Sequence, residues 1–164
     1  MSVRIEVDDL SSPLVAQFLE EHLEDMRAIS PPESKHALDL EALKSSNVTF
    51  WTVWDENKLA GCGAIKELDS SHAEIKSMRT GPEFRNKGIA SLILEHIIEI
   101  STESGYKRLS LETGSMPFFK PAHRLYEKYG FEYCKPFADY VEDPYSKFMS
   151  KNLSTKPNRV MVGF

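Results

Sequence analysis

At 164 residues, with 41% hydrophobic and 27% charged side chains, the chain has the length for one domain with a sizeable core and needs no covalent staples. A net charge of −5 argues against a nucleic-acid surface, which is normally basic, and tilts the expectation toward a cationic partner. The two cysteines, Cys62 and Cys134, read as buried thiols in strands, the histidines lack metal-ligand spacing so that no metal is expected, and the absence of a signal-peptide core or a membrane-length apolar run makes a cytoplasmic protein without a membrane partner the expectation.

Val3, Ile5 and Val7 alternate with Arg4, Glu6 and Asp8, the period of a half-buried edge strand. Ser12-Pro13 then caps a helix with Leu14, Val15, Phe18, Leu19, Leu23 and Met26 on its apolar face. Its other face carries Glu20, Glu21, Glu24 and Asp25, which read either as a solvated surface or as an attractor for an amine. Ser30-Pro31-Pro32 breaks this helix, and Ala37, Leu38, Leu40 and Leu43 suggest a short second one at the lip of a cleft. The segments 48–54 and 59–68 make a hairpin whose second strand contains Gly61 and Gly63, marks of close packing or a bulge. A further strand over 73–80 leads into the turn Arg85-Asn86-Lys87-Gly88-Ile89-Ala90 and then a helix with Ile89, Leu92, Ile93, Ile97 and Ile100 on one side, stopped by Ser104-Gly105.

That basic turn at a helix start reads as a phosphate cradle, or as a basic loop capping an ordinary αβ unit. The strand Arg108 to Thr113 completes a βαβ crossover, which places it parallel to the strand before the turn. A loop from Gly114 to Lys120 precedes a helix through Ala122, Leu125, Tyr126 and Tyr129, closed by Gly130, and two strands over 131–135 and 146–153 end the domain. A Walker-type nucleotide loop is excluded, because Gly81 and Gly88 stand too far apart and Ile89 occupies the place of the required lysine. No Gly-x-Gly-x-x-Gly dinucleotide fingerprint occurs in the turn either.

Taken together, these motifs make most of the chain resemble the GNAT family of acetyl-coenzyme A-dependent N-acetyltransferases. Arg85-Asn86-Lys87-Gly88-Ile89-Ala90 fits the family's Arg/Gln-x-x-Gly-x-Gly/Ala loop, Ala122, Leu125-Tyr126 and Gly130-Phe131 look like its later motif, and Leu111-Glu112-Thr113-Gly114 looks like its fifth strand and exit. The resemblance implies an α/β (α+β) fold of the acyl-CoA N-acyltransferase type, a mixed central sheet of about six to seven strands flanked by about four helices. It places one domain over 1–153 and leaves 154–164 as a C-terminal tail, apolar enough at its end to dock or to bridge subunits of a homodimer.

The activity so implied is transfer of an acetyl group from acetyl-CoA to a primary amine of a small molecule or protein, by direct attack in a ternary complex. Backbone groups of Met78, Arg79 and Thr80 would pair with the pantetheine arm, and one of their N–H groups would polarise the thioester carbonyl. Amides from Arg85, Asn86, Lys87, Gly88, Ile89 and Ala90 would hold the pyrophosphate, with glycine at 88 leaving room for close approach. Tyr126 matches the family's general acid for the coenzyme A sulfur, and its other reading is a core aromatic. Glu74 and Glu112 are the carboxylates placed to take the amine proton; Glu74 would equally pair with Lys76, and would share a face with Lys76 and Met78 if no bulge intervenes. Phe137, Tyr140 and Tyr145 with Asp139, Glu142 and Asp143 form either an aromatic, acidic pocket for a cationic amine or a twisted loop held by its aromatics. Two other functions fit the same residues: a non-catalytic module that senses acyl-CoA for a partner protein, and an enzyme using a longer acyl donor.

Overall fold

The computed structural model describes residues 2–29 and 40–154. Strand β1 (Val3–Val7) leads into helix α1 (Pro13–Ile29), whose first turn is fixed by Ser12: its Oγ accepts the Leu14 amide at 3.2 Å and its carbonyl accepts the Ala16 amide. After α2 (Leu40–Leu43) come β2 (Val48–Asp55), β3 (Lys58–Asp69) and β4 (His72–Thr80). A 3-10 turn at Pro82–Phe84 precedes α3 (Ile89–Glu103) and β5 (Arg108–Gly114), and a second one at Pro117–Phe119 precedes α4 (Lys120–Lys128). The short strand β6 (Glu132–Cys134) and β7 (Ser146–Asn152) complete the element order. The break at Ser30-Pro31-Pro32, residues Ala37 and Leu38 of the expected second helix, and the tail beyond Ser154 lie outside the described residues.

The strands form one seven-stranded mixed sheet in the order β1-β2-β3-β4-β5-β7-β6. Pairing is parallel between β4 and β5, as the crossover through α3 requires, and antiparallel between all other neighbours. This is the mixed sheet with four helices expected from the sequence. Among the described residues no helix is long and apolar enough to cross a membrane.

Each face of the sheet buries its own cluster. On one side Val15, Phe18 and Leu19 of α1 and Leu43 of α2 cover Phe50, Trp54, Cys62 and Ala64. On the other, Ile89, Ile93, Leu94 and Ile97 of α3 and Tyr126 of α4 cover Trp51, Val53, Ile65, Ile75, Leu109 and Leu111. Alternation along each strand delivers both sets. Leu14, expected on the apolar face of α1, is 56% exposed, because the buried stripe starts one residue later at Val15. Cys62 is fully buried, and burial pushes its thiol up to about 12. Cys134 is only half-buried, since β6 is the outermost strand.

The two glycines of β3 let α3 lie directly on the sheet. A Cβ at Gly61 would stand 2.9 Å from the Arg79 carbonyl oxygen and from both Ile89 Cγ2 and Ile93 Cδ1, and one at Gly63 would stand 2.8 Å from Ile93 Cγ2. Close packing thus accounts for both, and both also border irregular pairing, Gly61 at the β2–β3 register shift beside Val53 and Gly63 within the β3–β4 shift between Cys62 and Ala64. Gly61→Val is expected to lift α3 from β3 and lower the unfolding free energy by about 1–3 kcal/mol, the usual cost of overpacking, read as a shift in the denaturant midpoint.

Candidate active site

Strands β4 and β5 pair only from His72–Arg108 to Ile75–Leu111, although β4 continues to Thr80 and β5 to Gly114. The parting coincides with a bulge at Ser77, a non-glycine residue at φ 54°, where the β3–β4 register jumps from Ala64–Lys76 to Cys62–Arg79. One added residue reverses every side chain beyond it. Glu74 and Lys76 keep the face toward α1, whereas Met78 turns to the α3 face and packs in that core. The shared face expected for Glu74, Lys76 and Met78 thus holds for the first two alone, because the bulge intervenes.

A cleft of about 850 Å³ opens where the strands part, and it reaches both faces of the sheet. Its lining gathers Glu74, Met78, Arg79, Thr80, Arg85, Asn86, Gly88, Ile89, Ala90, Glu112 and Tyr126, residues widely spaced in the chain. Lys87 stands apart from the lining, exposed, with its Nζ 5.5 Å from the centre of the Phe84 ring. On the α3 side the free edge of β4 from Lys76 to Thr80 lies open to a partner strand. The start of α3 faces the same space. No side chain caps it, the first intrahelical bond runs from the Leu92 amide to the Gly88 carbonyl at 3.0 Å, and the preceding amides have no acceptor within the helix. Gly88 sits at φ +80°, where a side chain is strained, and a Cβ there would meet nothing within 4 Å. Glycine thus leaves the approach to these amides open.

Tyr126 stands where the strands divide, 8% exposed, edge-on to Phe131. Its hydroxyl is 3.9 Å from Met78 Sδ, a weak acceptor, and burial pushes the phenol up to about 12, so it keeps its proton. The α1 side is more heavily charged. Glu74, 2% exposed, accepts the Tyr140 hydroxyl at 2.5 Å and the Lys76 ammonium at 3.4 Å on Oε2, and Lys76 also donates to Tyr140 Oη at 2.9 Å. Burial, and then the Glu74 carboxylate, raise the Tyr140 phenol far above its ordinary value. Glu112, half-buried on the same face, accepts the Ser146 hydroxyl at 2.9 Å. The pairing of Glu74 with Lys76 is therefore real, but buried and in the cleft wall rather than on the surface.

Helix α1 lines the cleft with His22, Leu23, Asp25, Met26 and Arg27, and two of these, Asp25 and His22, interact with Arg79. Asp25 accepts Arg79 Nη1 at 2.7 Å, and the guanidinium lies 5.2 Å from the Phe18 ring centre with its side chain 8% exposed. His22 lines the cleft beside them; burial, then the charge of Arg79, lower its imidazole to about 4 against the opposing pull of Asp25. The sequence reading assigned no site role to His22 or Ser146. A signal for His22 existed, since it follows Phe18 and Leu19 at helical spacing on the sheet-facing stripe. The loop from Pro136 to Tyr145 is chiefly packing: Phe137, Tyr140 and Phe148 interlock at 5.2–5.8 Å, and Asp139 and Glu142 are exposed outside the cleft. Tyr145 alone of its aromatics lines the cleft, as does the exposed Phe118 of the preceding loop.

Glu74→Gln removes the charge facing the buried Lys76 ammonium and is expected to cost about 3 kcal/mol of stability in denaturant titration, with Lys76→Met in the same chain recovering most of it. His22 gives a pH signature. Between its ordinary 6.5 and about 4 the unfolded chain binds a proton that the folded chain does not, so this residue makes stability fall as pH drops through that window and level off below it. The loss of stability between pH 7.5 and pH 4.5 is therefore expected to be smaller in His22→Gln than in the wild type.

The comparisons agree with this geometry. The acetyltransferase (GNAT) family model matches residues 15–131. The chain is 56% identical over 151 residues to the uncharacterized N-acetyltransferase YsnE of Bacillus subtilis (strain 168), covering 92% of this chain and 100% of the relative. It is 50% identical over 149 residues to the uncharacterized N-acetyltransferase YedL of Escherichia coli (strain K12), covering 91% and 94%. Its fold superposes on the PaiA N-acetyltransferase of Thermoplasma acidophilum in complex with coenzyme A with a TM-score of 0.68 at 17% identity, over 93% of this chain and 99% of that one. With its parted parallel strands, its uncapped α3 and its sequence relatives, the chain belongs to the GNAT family of acetyltransferases.

Proposed function

We propose that the protein transfers an acetyl group from acetyl-CoA to a primary amine by direct attack within a ternary complex in this cleft. The observation that carries the reading is the continuity of the cleft: one space joins the open β4 edge, the uncapped start of α3, the buried Tyr126 hydroxyl and two carboxylates. An extended pantetheine arm pairs with Met78, Arg79 and Thr80 through their backbones, as an added strand would, while the side chain of Arg79 is turned away toward α1. Amides from Gly88 to Ser91 hold the pyrophosphate, with Arg85 and Asn86 beside them and Lys87 contributing charge from outside the lining.

In the reaction the amine nitrogen bonds to the acetyl carbonyl carbon, the carbon–sulfur bond breaks, and the amine proton passes to a carboxylate. A β4 amide next to the bulge donates to the carbonyl oxygen as charge develops. Glu112 is the better placed acceptor of the amine proton, because Glu74 already holds Tyr140 and Lys76 on one oxygen. Tyr126, near 12, is a weaker acid than an ordinary thiol at about 8.5, so it stabilises the leaving thiolate as a hydrogen-bond donor while keeping its proton, and the thiolate takes its proton from solvent after release.

Thiol release from acetyl-CoA with a panel of amines tests the reading directly. Tyr126→Phe is expected to lower kcat by roughly 100-fold or more while the calorimetric Kd for coenzyme A stays within about twofold. Unchanged turnover in that variant would remove the assignment of Tyr126, and tight coenzyme A binding without turnover on any amine would favour the acyl-CoA sensor.

A further inference from the structure

The acetyltransferase reading leaves unexplained a cation buried in the cleft wall. Arg79 is nearly inaccessible, lies against Phe18, and meets one acceptor among the described residues, Asp25 Oδ2 at 2.7 Å. Its Nε is buried and finds no acceptor among the described residues. A buried guanidinium donor without an acceptor costs about 1–3 kcal/mol, which a ligand supplying that acceptor would recover. The bulge at Ser77 is what turns this side chain to the α1 face, opposite the start of α3, so the cofactor's pyrophosphate lies across the sheet from it. On that same face, roughly 15 Å or less along β4, stands Glu74, with Glu112 on the neighbouring strand.

We infer that the amine acceptor also carries a carboxylate, and that Arg79 binds it. The inference rests on the acetyltransferase reading and names the class of its second substrate: a small amino acid or another amino-carboxylate. A guanidinium presents a planar fork of donors that matches a carboxylate in two parallel hydrogen bonds, a geometry no ammonium reproduces. Asp25 fixes one arm of the fork and is itself half-exposed, so a modest turn of the side chain presents the remaining donors to the cleft without breaking that pair. In an α-amino acid the amine stands one carbon from the carboxylate, so it lies beside Arg79 at the parted strands, where the thioester would lie, and its proton reaches the carboxylates of the same face through water. His22 reports on the arrangement, because the charge of Arg79 helps to hold its imidazole low, and an anion placed on Arg79 relieves that field.

The test compares amino acids with their own carboxamides, L-leucine with L-leucinamide and L-phenylalanine with L-phenylalaninamide first, then the other proteinogenic amino acids and β-alanine in the same way. With wild-type enzyme and acetyl-CoA, kcat/KM for the preferred acid is expected to exceed that for its amide by roughly 10- to 100-fold, the value of one charge-assisted hydrogen bond or slightly more. In Arg79→Lys the acid-to-amide preference is expected to shrink, chiefly through a higher KM for the acid. An independent reading uses no turnover: the His22 imidazole, followed by NMR in the coenzyme A complex, titrates higher when the acid is added and does not move with the amide. Equal use of acids and amides, or use only of amines without a carboxylate, overturns the inference while leaving the acetyltransferase reading standing. Failure of every amine to release thiol overturns the acetyltransferase reading instead; the His22 titration then decides the carboxylate site by itself, and no shift with any acid removes it. Should Arg79→Lys fail to fold, the wild-type acid-to-amide comparison and the titration still decide.

Discussion

The site depends on one interruption of regular pairing, the parting of β4 and β5 after Ile75 and Leu111. An opening in the middle of a sheet leaves backbone donors and acceptors without partners, which is costly when the opening is dry and useful when an extended ligand enters it. Here the flanks carry the cost. β4 remains paired with β3 to Thr80, β5 remains paired with β7 to Gly114, and α3 is seated on β3 beside the gap at Gly61 and Gly63. The strained Ser77 belongs to the same device, since the bulge that bends β4 away also sorts Met78 and Arg79 onto opposite faces.

The two faces of the sheet consequently present different chemistry to one cleft. On the α3 side it is built from backbone: the amides of the uncapped helix start and the free edge of β4, whose dipoles are fixed by secondary structure and need no side chain to hold them. On the α1 side it is built from charged side chains held in pairs, Glu74 with Lys76 and Asp25 with Arg79. Tyr126 occupies the place where the two meet, with its hydroxyl beside Met78 and its ring in the α3 core.

Much of this was legible in the sequence, and what was legible was local. Alternation in β1, the Ser12 cap, the β2–β3 hairpin, the apolar stripe of α3 and the Gly105 and Gly130 stops each lie within a few residues and follow from short-range rules. The turn at Gly88 was readable because a helix start carries its own anion-binding chemistry. The bulge at Ser77 was not, because serine in a left-handed conformation leaves no compositional mark and the register it changes belongs to a strand elsewhere in the chain. The Tyr140–Glu74–Lys76 cluster and the Asp25–Arg79 pair were hidden for the same reason: their partners are separated by 64, 66 and 54 positions, and only the folded sheet brings them together. Lys87 illustrates the same limit, since the basic turn groups all its cations in sequence, yet consecutive residues in a turn point to different sides and its Nζ lies over the Phe84 ring.

For the proposed amine nucleophile, the pairing of charges on the α1 side matters as well. An amine attacks a thioester only when unprotonated, and a wall of unpaired carboxylates would hold it as an ammonium ion by the same attraction that draws it in. Setting a cation against two of the carboxylates removes most of that attraction while leaving polar groups to orient the substrate. His22 shows the resulting field at work: its imidazole, a base standing in the cleft, is held near 4 by burial and by Arg79 despite the neighbouring Asp25. In the proposed reaction an amine desolvated in the same cleft loses its proton more readily than in water. Under the proposed reaction a carboxylate such as Glu112, which accepts the Ser146 hydroxyl, then has only to receive that proton when it leaves, and no strongly basic residue is required.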